Sequence, residues 1–353
     1  MKPPAGGFFR AYGVGWICSG LDYYCLDMNT VNWIVAGIGD IARKRVIPAI
    51  QAEPHSRLYG FVTRTPAKAA AYPGARTWAT VEQAVADPAV DAVYIALPVA
   101  QHADAAIAAL RAGKHVLCEK PMAMNFAEAE RMVAEGNTAS RDSGRLFGVS
   151  YYRRLYPKLL RAKHLIADGA IGRPLLAEAN CHSWFEIEGR EWLADPALAG
   201  GGPLYDIASH RIDAMNFLFG RPERACGLLS NAVHRIGVED SATVLMGFSG
   251  GVHGVVDVRW NSRVTRDQFR IIGESGEINL DPLNSPELRL AGRTEFLPPH
   301  ANLHFPIIEN FVDAVLANDP ARLACPAEQA AWVDWTIEQV VSGQVVSAQA
   351  GHS

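Results

Sequence analysis

The feature that most constrains this chain is a glycine-rich turn, Gly37-Ile38-Gly39-Asp40-Ile41-Ala42. It lies between a short apolar run with β-branched residues (Asn32 to Ala36) and a segment with helical apolar spacing (Ile41 to Ala52). Strand, tight turn, helix is the order that a dinucleotide-binding βαβ unit requires, and outside that order such a turn carries little weight. Gly37 permits the turn. Gly39 removes a Cβ where backbone must approach a pyrophosphate, and small Ala42 lets helix and strand pack closely. Asp40 and Ile41, the first helical residues, present free N–H groups and the positive end of the helix dipole to an anion. Pro48 interrupts the pattern and predicts a bend or a restart of this helix.

Strands and helices then alternate. Leu58 to Val62 reads as the next strand, and the residue that closes such a strand sets the ribose contact. An acid there bonds a free 2′-hydroxyl, whereas an arginine accommodates a 2′-phosphate. The chain reads Thr63-Arg64-Thr65 with Lys68 following, which predicts NADP, with NAD possible. Asp91 to Leu97 is a near-continuous apolar run suited to a strand buried on both faces, and Pro98 ends it. A helix from His102 to Ala112, stopped by Gly113, leads to a strand from His115 to Glu119. Asn125 and Glu128 cap a helix that runs towards Gly136, and Arg145 to Val149 closes a domain over residues 31–150. Open parallel sheets bind ligands beyond the carboxyl ends of their strands. The glycine turn and Glu119-Lys120-Pro121 therefore face one crevice.

Residues 151–345 read as a second unit. A helix spans Tyr156 to Asp168, and strand-like runs recur at Leu175 to Cys181, Ala242 to Phe248, Val252 to Val258 and Phe269 to Ile272. Helical patterns at Phe305 to Leu316 and Ala327 to Val345 finish the chain. After Gly202-Pro203, Asp206 and His210 have the spacing that brings both to one face of a helix. An imidazole that titrates near neutrality suits proton transfer at a carbinol, and a lysine can polarise the reacting oxygen. Asp206 is expected to orient that imidazole or to bond a substrate hydroxyl.

The stretches Asp91 to Pro98, His102, Ala112 to Pro121 and Gly200 to His210 together resemble the glucose-fructose oxidoreductase/inositol dehydrogenase/MocA family, over residues 30–345. The resemblance implies an α/β chain: a Rossmann domain, then an α/β domain with a large, mostly antiparallel open sheet. That sheet often packs against a partner subunit, which implies a homodimer or homotetramer. The implied activity is hydride transfer between NAD(P) and a secondary alcohol or carbonyl of a sugar, polyol or cyclic diol, with Lys120, Asp206 and His210 catalytic. Leu97, Pro98, His102 and Glu119 would border the cofactor. Arg154, ahead of Tyr156-Pro157, matches an arginine that the family places near the nicotinamide, with Arg153 as the alternative. His182, Trp184 and Trp192 fall where the family's substrate loop lies. Many relatives carry Trp-Arg there, and Leu193 in place of the arginine weakens the case for a carboxylate or phosphate anchored at that point. Two rival classes are a redox-type glycoside hydrolase that keeps its cofactor and a dinucleotide-binding regulator without catalysis. Retention of Lys120, Asp206 and His210 argues against the regulator.

Composition sets the outer bounds. A chain of 353 residues, 49% hydrophobic, can bury two cores. A net charge of −4 without a basic block argues against a nucleic-acid partner; Arg43-Lys44-Arg45, the densest basic run, reads as a solvated helix face. The six cysteines lack paired metal spacing, which predicts no metal and reduced thiols in the cytoplasm. No stretch has the length of a membrane span. Residues 1–30 show neither strand nor helix period and no small-residue cleavage pattern, and are expected to be a non-functional extension ahead of Met28.

Overall fold

A computed structural model describes residues 30–343. The expected amino-terminal extension and the last residues of the final expected helix lie outside them. The first domain carries β1 (Val31–Ala36), β2 (Ser56–Val62), β3 (Arg76–Trp78), β4 (Ala92–Ile95), β5 (His115–Cys118) and β6 (Phe147–Val149). All pair in parallel, in the order β3-β2-β1-β4-β5-β6. Helices α1 (Ile47–Ala52), α2 (Val81–Val85), α3 (His102–Arg111) and α4 (Phe126–Ser143) lie between the strands. Strand order reverses between β1 and β4, which opens the crevice of a doubly wound sheet at their carboxyl ends. Ile34 to Ala36 and Ala92 to Ile95 are fully buried, as strands covered on both faces must be.

Pro48 restarts its helix as the sequence predicts. It has no N–H for the preceding turn, so residues 42–46 widen and the Ile47 N–H bonds the carbonyl of Ala42, five residues back. The helix expected to run towards Gly136 continues through it to Ser143. That glycine is a packing device, since a Cβ there would meet the Phe147 ring at 2.9 Å, and the stop is Gly144.

The second domain comprises α5 (Pro157–Ala167), β7 (Pro174–Trp184), α6 (Pro196–Ala199), α7 (Ser209–Phe219), β8 (Pro222–Ser230), β9 (Ser241–Phe248), β10 (His253–Arg259), β11 (Asn261–Gly273), β12 (Glu277–Asn279), β13 (Glu287–Leu290), β14 (Arg293–Phe296), α8 (Phe305–Ala317) and α9 (Ala327–Ser342). Its sheet runs β14-β13-β12-β11-β7-β10-β9-β8 and is antiparallel apart from the β7–β10 pair. Helices α7 and α9 cover its inner face, where Ala177, Ala179, Val244, Val256 and Val258 are buried. The outer face carries Leu228 and Leu245, 65% and 48% exposed. Two helices tie the domains together: α8 sets Phe311 against Trp33 of β1, ring centroids 5.4 Å apart, and α9 packs on α4. Among the described residues no helix is long and apolar enough to cross a membrane.

Candidate active site

The glycine turn has the shape that a dinucleotide needs. Gly37 takes φ +96°, and a Cβ there would stand 2.6 Å from the carbonyl oxygen of Ala96, so the close approach of β4 demands glycine. Gly39 would carry its Cβ into open space, with no atom within 4 Å, which leaves room for phosphate against the N-terminus of the following helix. Asp40 pairs with Arg43 at 2.5 Å and Lys44 at 2.8 Å, and these partners hold its carboxyl below the usual range. Ile41 follows it into the helix, largely exposed. Beyond β2, the Thr63 hydroxyl accepts the Thr65 N–H at 3.1 Å. Arg64 and Lys68 are exposed, and neither takes part in an ion pair among the described residues.

Leu97 and Pro98 line the end of β4, half-buried. His102 does not face the crevice. Its ring lies buried between the carbonyls of Pro121 (3.1 Å) and Leu97 (2.9 Å), where it braces the two strand-end loops.

Lys120 leaves the buried strand β5 and crosses to the other domain. Its Nζ donates to Asp206 Oδ1 at 2.9 Å and to the Asp206 carbonyl at 2.8 Å. Burial raises the Asp206 carboxyl, but Lys120, then Arg190 and Arg153, outweigh it and hold the group below the ordinary range. Asp206 therefore orients the lysine; no hydrogen bond joins it to His210 among the described residues, contrary to one sequence expectation. The glycines before it admit a tight approach, since a Cβ on Gly202 would run into the carbonyl of Glu239. The Glu239 carboxylate then accepts the Leu204 N–H at 2.9 Å and anchors the turn. Residues 204–208 form a wide turn in which the Ser209 N–H bonds the Leu204 carbonyl, and α7 continues from it with His210.

His210 is 7% exposed. Its Nδ1 is buried without a partner among the described residues, so Nε2 is the nitrogen left to exchange a proton. Burial first, then the charges of Arg153, Lys120, Arg211 and His304, push the imidazole well below its usual value and keep it neutral at neutral pH. The Tyr152 ring stands edge-on to it at 5.3 Å and Tyr151 at 6.0 Å.

The neighbouring arginines divide their work in a way that adjacent positions conceal. Arg154, expected near the nicotinamide, is instead 1% exposed, forks onto Asp213 (Nε 3.0 Å, Nη2 2.7 Å) and spends Nη1 on the Ala324 carbonyl and Gln329. Arg153 faces the site. It lies over the Tyr152 ring at 5.0 Å, donates to Asn284 Oδ1 at 3.3 Å and keeps Nε and Nη1 without partners among the described residues.

Of the expected substrate residues, Lys120, Asp206 and His210 meet here, whereas His182 and Trp184 do not. His182 and Trp184 alternate with Ala179 and Cys181, which point inward, so both lie on the outer face of the sheet. His182 bonds Asp257 there at 2.7 Å, and Trp184 packs on His234 and under Arg263. Glu178 and Asn180, polar at alternate positions, already mark that face in the sequence. Trp192 is 43% exposed on the segment before α6. On that segment Arg190, not a residue beside Trp192, sends its charge to Asp206. Sequence reasoning also misses Tyr152, Glu239 and His304, and only Tyr152 lay next to a residue already singled out.

Comparison with known proteins adds the following. Residues 31–144 match the model of an oxidoreductase family with an NAD-binding Rossmann fold, and residues 159–279 match the GFO/IDH/MocA C-terminal domain. The 1,5-anhydro-D-fructose reductase of Ensifer adhaerens is 30% identical over 80% of this chain and 88% of its own. The trans-1,2-dihydrobenzene-1,2-diol dehydrogenase of Mus musculus is 32% identical over 64% of this chain and 66% of its own. A levoglucosan dehydrogenase solved with NADH and levoglucosan shares the fold at TM-score 0.78 and 23% identity, over 89% of this chain and 96% of its own.

Proposed function

The chain belongs to the Gfo/Idh/MocA family of oxidoreductases, and on that premise we propose that it moves a hydride between NADP and a secondary alcohol or carbonyl of a sugar, polyol or related cyclic diol. The observation that carries this reading is the Lys120 ammonium, brought from the cofactor domain to within 2.9 Å of Asp206 in the other domain, with His210 one helical turn further on. The nicotinamide, when bound, accepts or supplies the hydride. Asp206 aims the ammonium, and Lys120 polarises the substrate oxygen and stabilises charge that develops on it. His210, neutral at rest, takes the hydroxyl proton on Nε2. Arg153 and Tyr152 wall the substrate side, and Arg190 lends positive charge from the overhanging segment. Both relatives named above at 30% identity or more act, by name, on a sugar or a diol, which supports this substrate class. A screen at 340 nm of NADP and NAD against aldoses, polyols, inositols and dihydrodiols tests it. Sugar turnover without net cofactor reduction would instead indicate a retained-cofactor hydrolase.

NADP is preferred in this reading because Arg64 and Lys68, exposed and without an ion pair among the described residues, follow β2, where a 2′-phosphate needs cations. Arg64→Asp should weaken NADPH binding by about 2 kcal/mol, the scale of a charged hydrogen bond lost and a repulsion gained, while NADH binding changes less. Titration of both cofactors by fluorescence checks this. Tighter wild-type binding of NADH than NADPH overturns it, and the levoglucosan dehydrogenase with NADH makes that comparison necessary.

The reading extends to assembly and place. The outer sheet face, with Leu228 and Leu245 exposed, pairs with a second copy, and Leu245→Glu should convert a dimer or tetramer to smaller species in sedimentation. The free thiols of Cys118, Cys181, Cys226 and Cys325 suit the reducing cytoplasm.

A further inference from the structure

We infer that His304 is a positioning residue that holds the two halves of the catalytic centre in register, through Glu119 on one side and through the Tyr152 ring on the other. The inference rests on the hydride-transfer reading above. His304 stands where the segment after β14 enters α8, and it is 2% exposed. Its place is set from the cofactor domain. The His304 N–H donates to Asn302 Oδ1 at 3.1 Å, and Asn302 Nδ2 donates to the carbonyl of Arg45, in the helix that follows the glycine turn, at 2.8 Å.

From there the ring reaches both limbs of the site. Nε2 donates to Glu119 Oε1 at 3.3 Å, an oxygen that also accepts the Tyr94 hydroxyl at 2.6 Å. The other oxygen of Glu119 accepts the backbone N–H of Lys120 at 3.2 Å. Burial raises the Glu119 carboxyl, but the hydrogen bond and charge of His304, then Tyr94 and Lys120, outweigh it and keep the group ionised. A carboxylate so held fixes the peptide from which the Lys120 side chain departs. On its other face the His304 ring lies 4.4 Å from Tyr152, whose ring stands edge-on to His210. His304 Nδ1 is buried without a partner among the described residues, so the ring's one hydrogen bond there goes to Glu119.

The charged and titratable groups that face His210 come from four directions: Lys120 from the loop after β5, Arg153 from the turn after β6, Arg211 from its own helix and His304 from the segment before α8. Tyr151 and Tyr152 supply the uncharged walls. The imidazole at 304 is among the groups that lower the His210 titration, so without it His210 should accept a proton at higher pH. A purely structural histidine would lower activity without moving that titration.

The test uses the full chain with His304→Gln and His304→Leu and reads two quantities. Glutamine can still donate to Glu119, whereas leucine cannot. With the best substrate of the panel, His304→Leu should lose on the order of 10- to 100-fold in kcat, the scale of a misplaced catalytic group, with cofactor affinity within a few-fold. His304→Gln should recover most of that loss. The ring resonances of His210, assigned by their disappearance in His210→Ala, should titrate at higher pH in both variants. Wild-type kcat in both variants, a glutamine variant as impaired as the leucine one, or an unmoved His210 titration overturns the proposal. If the wild-type chain turns over nothing in the panel, the hydride-transfer reading fails instead, and the His210 titration still decides whether His304 acts on it.

Discussion

Lys120→Ala will turn substrate over at least about 100-fold more slowly than the wild-type chain while binding its cofactor within a few-fold, because the ammonium acts on charge that appears only in the transition state. A loss of that size corresponds to about 2.7 kcal/mol of transition-state stabilisation. Cofactor affinity should hold because Lys120 Nζ is spent on Asp206 of the other domain. His210→Ala should match this loss and carry a second signature. Burial and neighbouring charges depress the imidazole, so the wild-type oxidation rate should persist below the usual histidine range and fall only as pH drops through the lowered value. The alanine variant should lack that acid limb. Because the groups work on one oxygen and its proton, the double variant should be little worse than the poorer single one. Steady-state kinetics over pH, with cofactor affinity measured separately, decides the matter. Turnover that survives both substitutions nearly intact would show that these residues are scaffolding.

Arg154→Met will destabilise the fold by roughly 3–5 kcal/mol, the cost of leaving a buried carboxylate without its partner. Arg154 and Asp213 have side chains only 1% exposed; burial opposes the charge on the guanidinium, but the charge and hydrogen bond of Asp213 outweigh it and keep the group ionised. Thermal unfolding should fall by on the order of 10 °C. Arg154→Met combined with Asp213→Leu should regain much of the loss, since an apolar pair of similar volume avoids the stranded charge. Folded Arg154→Met should bind cofactor as the wild type does. A variant that melts normally yet loses cofactor would restore the arginine to the nicotinamide pocket and sink the assignment of Arg153 to the site.

Much of the site was legible because it is written locally. The glycine turn works through neighbouring residues, so Gly37 and Gly39 announce their φ angle and their open face before any tertiary contact exists. The spacing of Asp206 and His210 places both on one helical element whatever that element packs against. Lys120 is readable because a buried parallel strand must deliver its last residue to the crevice.

Other expectations failed where the deciding fact lay outside the local segment. Arg153 and Arg154 are chemically identical neighbours, and Asp213, 59 residues away, decides which of them is consumed. His182 fell on the outer face because a strand has two faces and only the packing of α7 and α9 says which is inner, although Glu178 and Asn180 hinted at it. His304 meets Glu119 across 185 residues of chain and belongs to no motif. The sequence by itself determined the glycine turn and the places of Lys120, Asp206 and His210, the trio proposed for catalysis, since each depends on backbone conformation and short spacing that neighbouring residues impose. Only the tertiary structure decided which arginine, which strand face and which distant histidine complete the site, because those depend on which buried charge finds a partner, and partners are set by packing between elements far apart in the chain.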